Sequence, residues 1–223
     1  MKIHDVKQGS GEWIKLRLGL PTASEFDNLV TPEWKLRTGQ GVDSYLYRKL
    51  AEKVMGVPLH DMSSWAQGQG SLLENEALPW FIFDRGVDVQ RVGFCTTDDG
   101  LAGCSPDGLI GEEGGIEIKC PQPEAHLRYL MDGKLPKDYA AQVHGSLYVT
   151  GRKWWWFLSY SRQFAPFLIR VERDEEIQMA IGKAIRIFNY NFQGKLEKIT
   201  AMRDAENAAK NAAYEKSVAE GRA

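Results

Sequence analysis

Residues 101–121, LAGCSPDGLIGEEGGIEIKCP, constrain the fold more than any other stretch of the chain. An apolar run carrying Asp107 gives way to a Gly/Glu-rich turn, Gly111 to Gly115, and a second short apolar run holds Glu117 and Lys119. Ile116-Glu117-Ile118-Lys119 alternates with period two, so a strand here turns both isoleucines to one face and both charges to the other. Two strands joined by the glycine-rich turn bring Asp107 alongside Glu117 and Lys119. Two hard oxygen ligands beside an ammonium suit a divalent ion held against a phosphate, and the Ile118 carbonyl between them offers a third oxygen. With no His or Cys in the set, Mg2+ or Mn2+ fits better than zinc. The same D…ExK spacing also arises by chance on a solvated strand face with a weak ion pair. Spacing alone leaves phosphodiester hydrolysis and an inert strand face both open.

The chain has 223 residues, enough for one domain with a full core or for one domain plus an extension. At 43% hydrophobic and 26% charged it is ordinary for a globular protein. A net charge of −2 gives no global basic field, so any nucleic-acid surface must be a local patch or a channel. Cys95, Cys104 and Cys120 are odd in number and show no CxxC spacing. Reduced, mostly buried thiols in a cytoplasmic protein are the expectation. No apolar run approaches the roughly 20 residues that cross a bilayer, and the N-terminus lacks a signal-peptide core.

Along the chain, residues 10–19 read as a short segment that packs Trp13 inward and leaves Arg17 solvated. Thr22-Ala23-Ser24-Glu25 matches a capping box, with Thr22 as N-cap and Glu25 at N3, which places Ser24 in a first helical turn where an anion is favoured. Residues 43–55 read as a helix, 60–70 as a polar surface loop, and 71–85 as a helix that Pro79 kinks or ends, with Glu74 near its buried edge. Residues 88–98 and 101–110 read as two antiparallel strands about the turn Asp98-Asp99-Gly100. Two helices follow, and in the second Tyr139, Gln142 and Ser146 share a face while His144 points elsewhere as a structural histidine. Residues 152–160 and 165–172 are strands, and the three tandem tryptophans pack on both sheet faces. An amphipathic helix begins at Asp174, and the Ala/Lys/Glu-rich tail from 197 packs on a neighbour or partly frays. The expected architecture is α/β (α+β), a central mixed sheet flanked by helices, with one domain over 1–200 and a helical, partly disordered extension over 201–223.

The block S-P-D-G-L…I-E-I-K-C-P, Ser105 to Pro121, resembles the core of the bacteriophage lambda exonuclease and YqaJ-type viral recombinase family, within the PD-(D/E)xK nuclease superfamily. W-x-K-L-R-L-G-x-x-T-A-S at 13–24, G-x-x-x-E-N at 70–75, Y-x-A-Q-V at 139–143 and the aromatic strand at 154–160 are similar to further motifs of that family in the same order. The resemblance implies a restriction-endonuclease-like core. It makes Asp107 and Glu117 metal ligands, Lys119 the catalytic lysine and Glu74 a further metal-site carboxylate, with two Mg2+ ions to a site and Mn2+ able to substitute. It also implies a pocket for a 5′-terminal phosphate lined by Arg17, Ser24, Ser105 and Gln142, with Tyr139 beside the scissile bond. The implied activity is degradation of one strand of double-stranded DNA from 5′ to 3′, releasing mononucleotides and leaving a 3′ single strand. The implied assembly is a homotrimeric ring, and the implied partner is a single-strand annealing protein. Pro79 puts the second metal site in question, and the 66–70 loop lacks the apolar residues of a strand-separating wedge. A related endonuclease and a non-enzymatic DNA-binding module are the alternatives.

Overall fold

The computed structural model describes residues 1–59 and 70–219. The loop expected over 60–70 falls, apart from its last residue, outside the described residues. A five-stranded mixed sheet carries the architecture, in the order β2 (Val89–Gln90), β5 (Gly108–Ile110), β6 (Gly114–Lys119), β7 (Trp154–Ser159), β8 (Phe167–Glu172). β6 is the central strand, antiparallel to β5 and parallel to β7. A smaller antiparallel sheet joins β1 (Lys2–His4), β3 (Phe94–Thr96) and β4 (Gly103–Cys104). The helices are α1 (Gly11–Arg17), a 3₁₀ helix (Ala23–Asn28), α2 (Gln40–Met55), α3 (Gly70–Arg85), α4 (Pro123–Asp132), α5 (Lys137–Thr150) and α6 (Glu175–Ala219).

The period-two reading of 116–119 holds, and its central position explains the burial pattern. Ile116 and Ile118, 0% and 3% exposed, pack with Ala77, Leu78 and Phe81 of α3. Each contributes about 1.5–3 kcal/mol by leaving water. The opposite face of the sheet belongs to a larger core in which Trp155 and Phe157 meet Val143 and Leu147 of α5 and Ile181, Ile185 and Phe188 of α6. The tandem tryptophans divide as expected, Trp155 to this core and Trp154 and Trp156 to the α3 side. Buried Arg152, just ahead of β7, donates to the carbonyls of Ile110 (3.2 Å), Gly111 (2.8 Å) and Gly114 (2.6 Å), which ties down the β5–β6 turn.

Several local expectations are corrected. The capping box is not formed: the segment after Thr22 is a 3₁₀ helix with no side-chain cap bond, and Thr22 Oγ1 instead donates to Glu25 Oε2 at 3.3 Å. Glu25 is drawn away from the backbone by Lys49 and Arg48, charged partners that outbid a neutral amide. α3 runs through Pro79 to Arg85 rather than ending there, because a missing N–H costs one bond in a helix whose Ala77, Leu78 and Phe81 are already buried. The strands expected over 88–98 and 101–110 are four short ones divided between the two sheets. Pro106 cannot donate to a ladder, so the chain breaks between β4 and β5 and changes sheet. α6 crosses residue 200 without interruption and continues, largely exposed, to Ala219. No helix among the described residues is long and apolar enough to cross a membrane.

Gly145 sets how closely α5 approaches the 3₁₀ helix, since a Cβ there would lie 2.6 Å from Phe26 Cδ2 and 3.0 Å from Ala23 Cβ. Gly145→Val should therefore destabilise the protein by about 1–3 kcal/mol through overpacking. Urea denaturation should show a lower midpoint at unchanged m.

Candidate active site

Asp107 sits immediately before β5, and the register Gly108↔Ile116 brings it across the hairpin to β6. Its Oδ2 accepts the Ile118 amide at 2.6 Å. Glu117, 3% exposed, receives two donors on Oε1: Lys119 Nζ at 2.6 Å and Gln142 Nε2 at 2.5 Å. Gln142 is thus no bystander on the α5 face that it shares with Tyr139 and Ser146. Tyr139 closes the other side of Lys119, its ring 5.3 Å from the ammonium. His144 is buried against Trp34, with ring centroids 5.0 Å apart, and its Nδ1 has no hydrogen-bond partner among the described residues.

Arg17 lies over the Trp13 ring at 4.4 Å and donates to Ser105 Oγ at 3.1 Å and to Thr22 Oγ1 at 3.2 Å. Ser105 also accepts from the Trp13 indole at 2.9 Å. Arg17 is therefore held, not simply solvated as the sequence suggested. Arg17, Ser24, Ser105 and Gln142 line one cleft of about 300 Å³ with Glu74, Asp107, Glu117, Ile118 and Lys119. Of the site residues read from the sequence, only Tyr139 is outside the cleft lining, and it reaches the cleft through Lys119.

The electrostatics follow from three carboxylates facing one ammonium. Burial pushes the Asp107 carboxyl well above the ordinary carboxylate value and Glu117 adds to the rise, while Lys119 and the Ile118 amide oppose it. Glu74 is exposed, yet water displaced by the cleft walls raises its carboxyl, with Lys119 pulling the other way. Burial works against the Lys119 ammonium, but Glu117 and Asp107 more than offset it and raise its pKa. Half-buried Cys120 next along is pushed up to about 12, which leaves it an inert thiol.

Sequence reasoning missed the wall behind Arg17. Lys49, buried on α2, pairs with Glu25 Oε2 at 2.7 Å and Glu52 at 3.2 Å, and Arg48 pairs with Glu25 Oε1 at 2.7 Å. Burial raises the Glu25 carboxyl, but Lys49, Arg48 and Arg17 together bring it below its ordinary value. The signal was present: Tyr45, Lys49 and Glu52 fall at i, i+4, i+7, a core-facing period carrying opposite charges.

The residues that could hold a divalent ion here would be Asp107, Glu117 and the Ile118 carbonyl. Among the described residues Asp107 Oδ1 and Glu117 Oε2 make no hydrogen bond, so one oxygen of each carboxylate stays open. Among the same residues no three His, Cys, Asp or Glu side chains form a group that could hold a metal, so Glu74 is not a third side-chain ligand in this arrangement. A hard-oxygen set of two carboxylates and a carbonyl, completed by water, matches the habit of Mg2+.

Fold and site define a deoxyribonuclease built on an exonuclease core. The sequence profile of the YqaJ-like viral recombinase domain matches residues 12–153, and the chain belongs to that family. It is similar to the crystal structure of LHK-Exo, an alkaline exonuclease from Laribacter hongkongensis, with a TM-score of 0.76 and 28% identity over 89% of this chain and 100% of that one. LHK-Exo in complex with dAMP gives a TM-score of 0.77 at the same 28% identity, covering 89% of this chain and 100% of that one. A phage related exonuclease from Haemophilus somnus 129PT shares the fold at 13% identity, with a TM-score of 0.54 over 88% of this chain and 97% of that one. A search of curated proteins by sequence finds no match.

The raised Asp107 carboxyl makes a stability prediction. An acid with a folded pKa above its unfolded value costs stability once it is ionised. The cost is absent below the ordinary carboxylate range, grows as pH rises toward the raised value, and is full above it. Asp107→Asn keeps an acceptor for the Ile118 amide and removes the charge. In metal-free protein at alkaline pH it should raise Tm by about 2–4 °C, the response to roughly 1 kcal/mol in a chain of this size, with no gain at pH 3.

Proposed function

We propose that the protein is a divalent-metal-dependent 5′–3′ exonuclease of double-stranded DNA that releases mononucleotides and leaves a 3′ single strand. The observation that carries this reading is the shared cleft: Arg17, Ser24, Ser105 and Gln142 open on the same space as Asp107, Glu117 and Lys119. A guanidinium fork with hydroxyls beside it suits the non-bridging oxygens of a terminal phosphate. A nucleotide whose 5′ phosphate rests on Arg17 lays its 3′ phosphodiester against the carboxylates, so cutting there removes it from the 5′ end.

Asp107, Glu117 and the Ile118 carbonyl would hold Mg2+ or Mn2+, which when bound supplies positive charge against the phosphoryl oxygens and activates the attacking water. Water adds to phosphorus as the P–O3′ bond breaks. Lys119, as an ammonium, has donors and no acceptor, so it can orient the nucleophile or offset charge on the phosphate but cannot take a proton. Gln142 and Lys119 both bond one oxygen of Glu117, which leaves its other oxygen free to ligate the ion. Tyr139, which flanks Lys119, would lie beside the scissile bond. Glu74, on the cleft rim, is the candidate for a second ion once substrate phosphate brings further oxygens. The bound dAMP of LHK-Exo supports a mononucleotide product. The reading extends to a homotrimeric ring, which would gather the basic residues of a mildly acidic protomer around duplex DNA, and to transfer of the 3′ strand to a single-strand annealing protein in the cytoplasm.

A linear duplex labelled at either end, with and without 5′ phosphate, tests the whole reading. Label should leave the 5′ end as mononucleotide in Mg2+, remain in EDTA, and a covalently closed circle should survive; cutting of the circle makes the protein an endonuclease. Arg17→Ala should bring rates on 5′-phosphate and 5′-hydroxyl ends together, and an unchanged preference removes the pocket. Lys119→Ala should slow single-turnover cleavage by about 10²–10³-fold, as loss of a preorganised donor does.

A further inference from the structure

The carboxylates have a second side. A separate cleft of about 460 Å³ opens beyond them, sharing Glu74, Asp107 and Ile118 with the first. Its own polar lining is Lys7, Gln8, Asn75 and Arg91, with one further acid, Asp5. Arg17, Ser24, Ser105, Gln142 and Lys119 line only the first cleft. The shared residues Glu74, Asp107 and Ile118 therefore stand at the junction of two spaces, each with cations of its own.

The far wall is built, not incidental. Gln8 Nε2 donates to the Val92 carbonyl at 3.1 Å and to the Pro106 carbonyl at 3.0 Å, which pins the N-terminal segment to the chain entering Asp107. Gly93 lies against the Val6 carbonyl, which a Cβ at that position would overlap. Lys7 and Arg91 are exposed at this fixed wall, and among the described residues neither side chain makes an ion pair or a hydrogen bond. Arg91 acts on the Glu74 carboxylate from across this cleft, and neither cation has a bonded partner among the described residues that would occupy it.

We infer that the second cleft carries the strand beyond the cut, with Arg91 and Lys7 binding the phosphate one nucleotide past the scissile one. This rests on the 5′–3′ exonuclease reading. With the terminal phosphate at Arg17 and the scissile phosphate at Asp107 and Glu117, the next phosphate has to pass the shared residues and enter the space on their other side. An anion arriving there meets Asp5 and Glu74, and two cations are what keep it. Arg91 can present its fork to both non-bridging oxygens, while Lys7 acts as a point charge. Lys7 precedes residue 12, where the match to the family begins.

The test is single-turnover release of the first nucleotide from a 5′-phosphorylated duplex, with one linkage of the cleaved strand replaced by an uncharged methylphosphonate. Placed at the second linkage, the replacement should slow the wild type about tenfold, the worth of one hydrogen bond to a charged group. Arg91→Ala should lose about the same factor on the all-phosphate strand and nothing more on the substituted one; Lys7→Ala should couple in the same way. Moving the methylphosphonate to the fifth linkage should leave the full penalty of each variant in place. Penalties that multiply at the second linkage, or variants with wild-type rates on the all-phosphate strand, overturn the assignment while the exonuclease reading stands. A wild type that releases nothing from the 5′ end of the unmodified duplex overturns both.

Discussion

Three carboxylates have to be gathered around one ammonium, and that requirement shapes this molecule. Asp107 and Glu117 approach from adjacent antiparallel strands, and Glu74 looks on from α3, with Lys119 as the one ammonium among them. Left to themselves such carboxylates would splay. The chain prevents this by making β6 the central strand and anchoring it through Ile116 and Ile118 on the α3 side, so its other face is fixed by the sheet. Asp107 is then held by the Ile118 amide and Glu117 by Gln142 and Lys119. The apolar alternation and the polar cluster are one device: the isoleucines supply the free energy that the acids spend.

The proposed phosphate pocket is coupled to that cluster by covalent geometry. Ser105 and Asp107 are separated by a single residue, Pro106, so the serine that steadies Arg17 and the carboxylate before β5 lie within about 7 Å of chain. Pro106 also stops the ladder of the smaller sheet and starts the chain toward the larger one. Gln142 makes a second link, because it lines the pocket and bonds Glu117. A terminal phosphate and a scissile phosphate would be read by parts that cannot move independently, which is what removal of one nucleotide at a time requires.

What could be read from the sequence was whatever local period and turn chemistry decide. The glycine-rich stretch from Gly111 and the residues after it specify a hairpin, though its strand pairing already begins at Gly114. The spacing of Tyr139, Gln142 and Ser146 specifies a shared helix face, of which Gln142 and Ser146 line the cleft. The rest depended on partners distant in sequence. Glu25 looked like a helix cap because Thr22 stands three residues before it, but Lys49 on α2 decides where its carboxylate points. Arg152 shows no pattern at all, and only the folded turn reveals the three carbonyls it gathers. Pro79 does not end its helix, since one lost helical bond is outweighed by the burial of Ala77, Leu78 and Phe81 around it.

A net charge of −2 looks unpromising for a protein that acts on DNA, yet the sum over the chain is the wrong quantity. At physiological ionic strength exposed charges are screened beyond about 8 Å, so a phosphate responds to the lining it touches. In the first cleft that lining sets Arg17, Lys49 and Lys119 against Glu25, Glu52 and the acids that would hold the ion. Most of the negative charge there is already committed: Glu25 and Glu52 to Lys49, and one oxygen of Glu117 to Lys119. Were Asp107 and Glu117 to take up a divalent cation, Arg17 would remain a half-buried guanidinium whose hydrogen bonds, among the described residues, go to neutral hydroxyls. Burial already loosens its hold on its proton. A phosphate arriving beside it, as the proposed pocket requires, would relieve that desolvation.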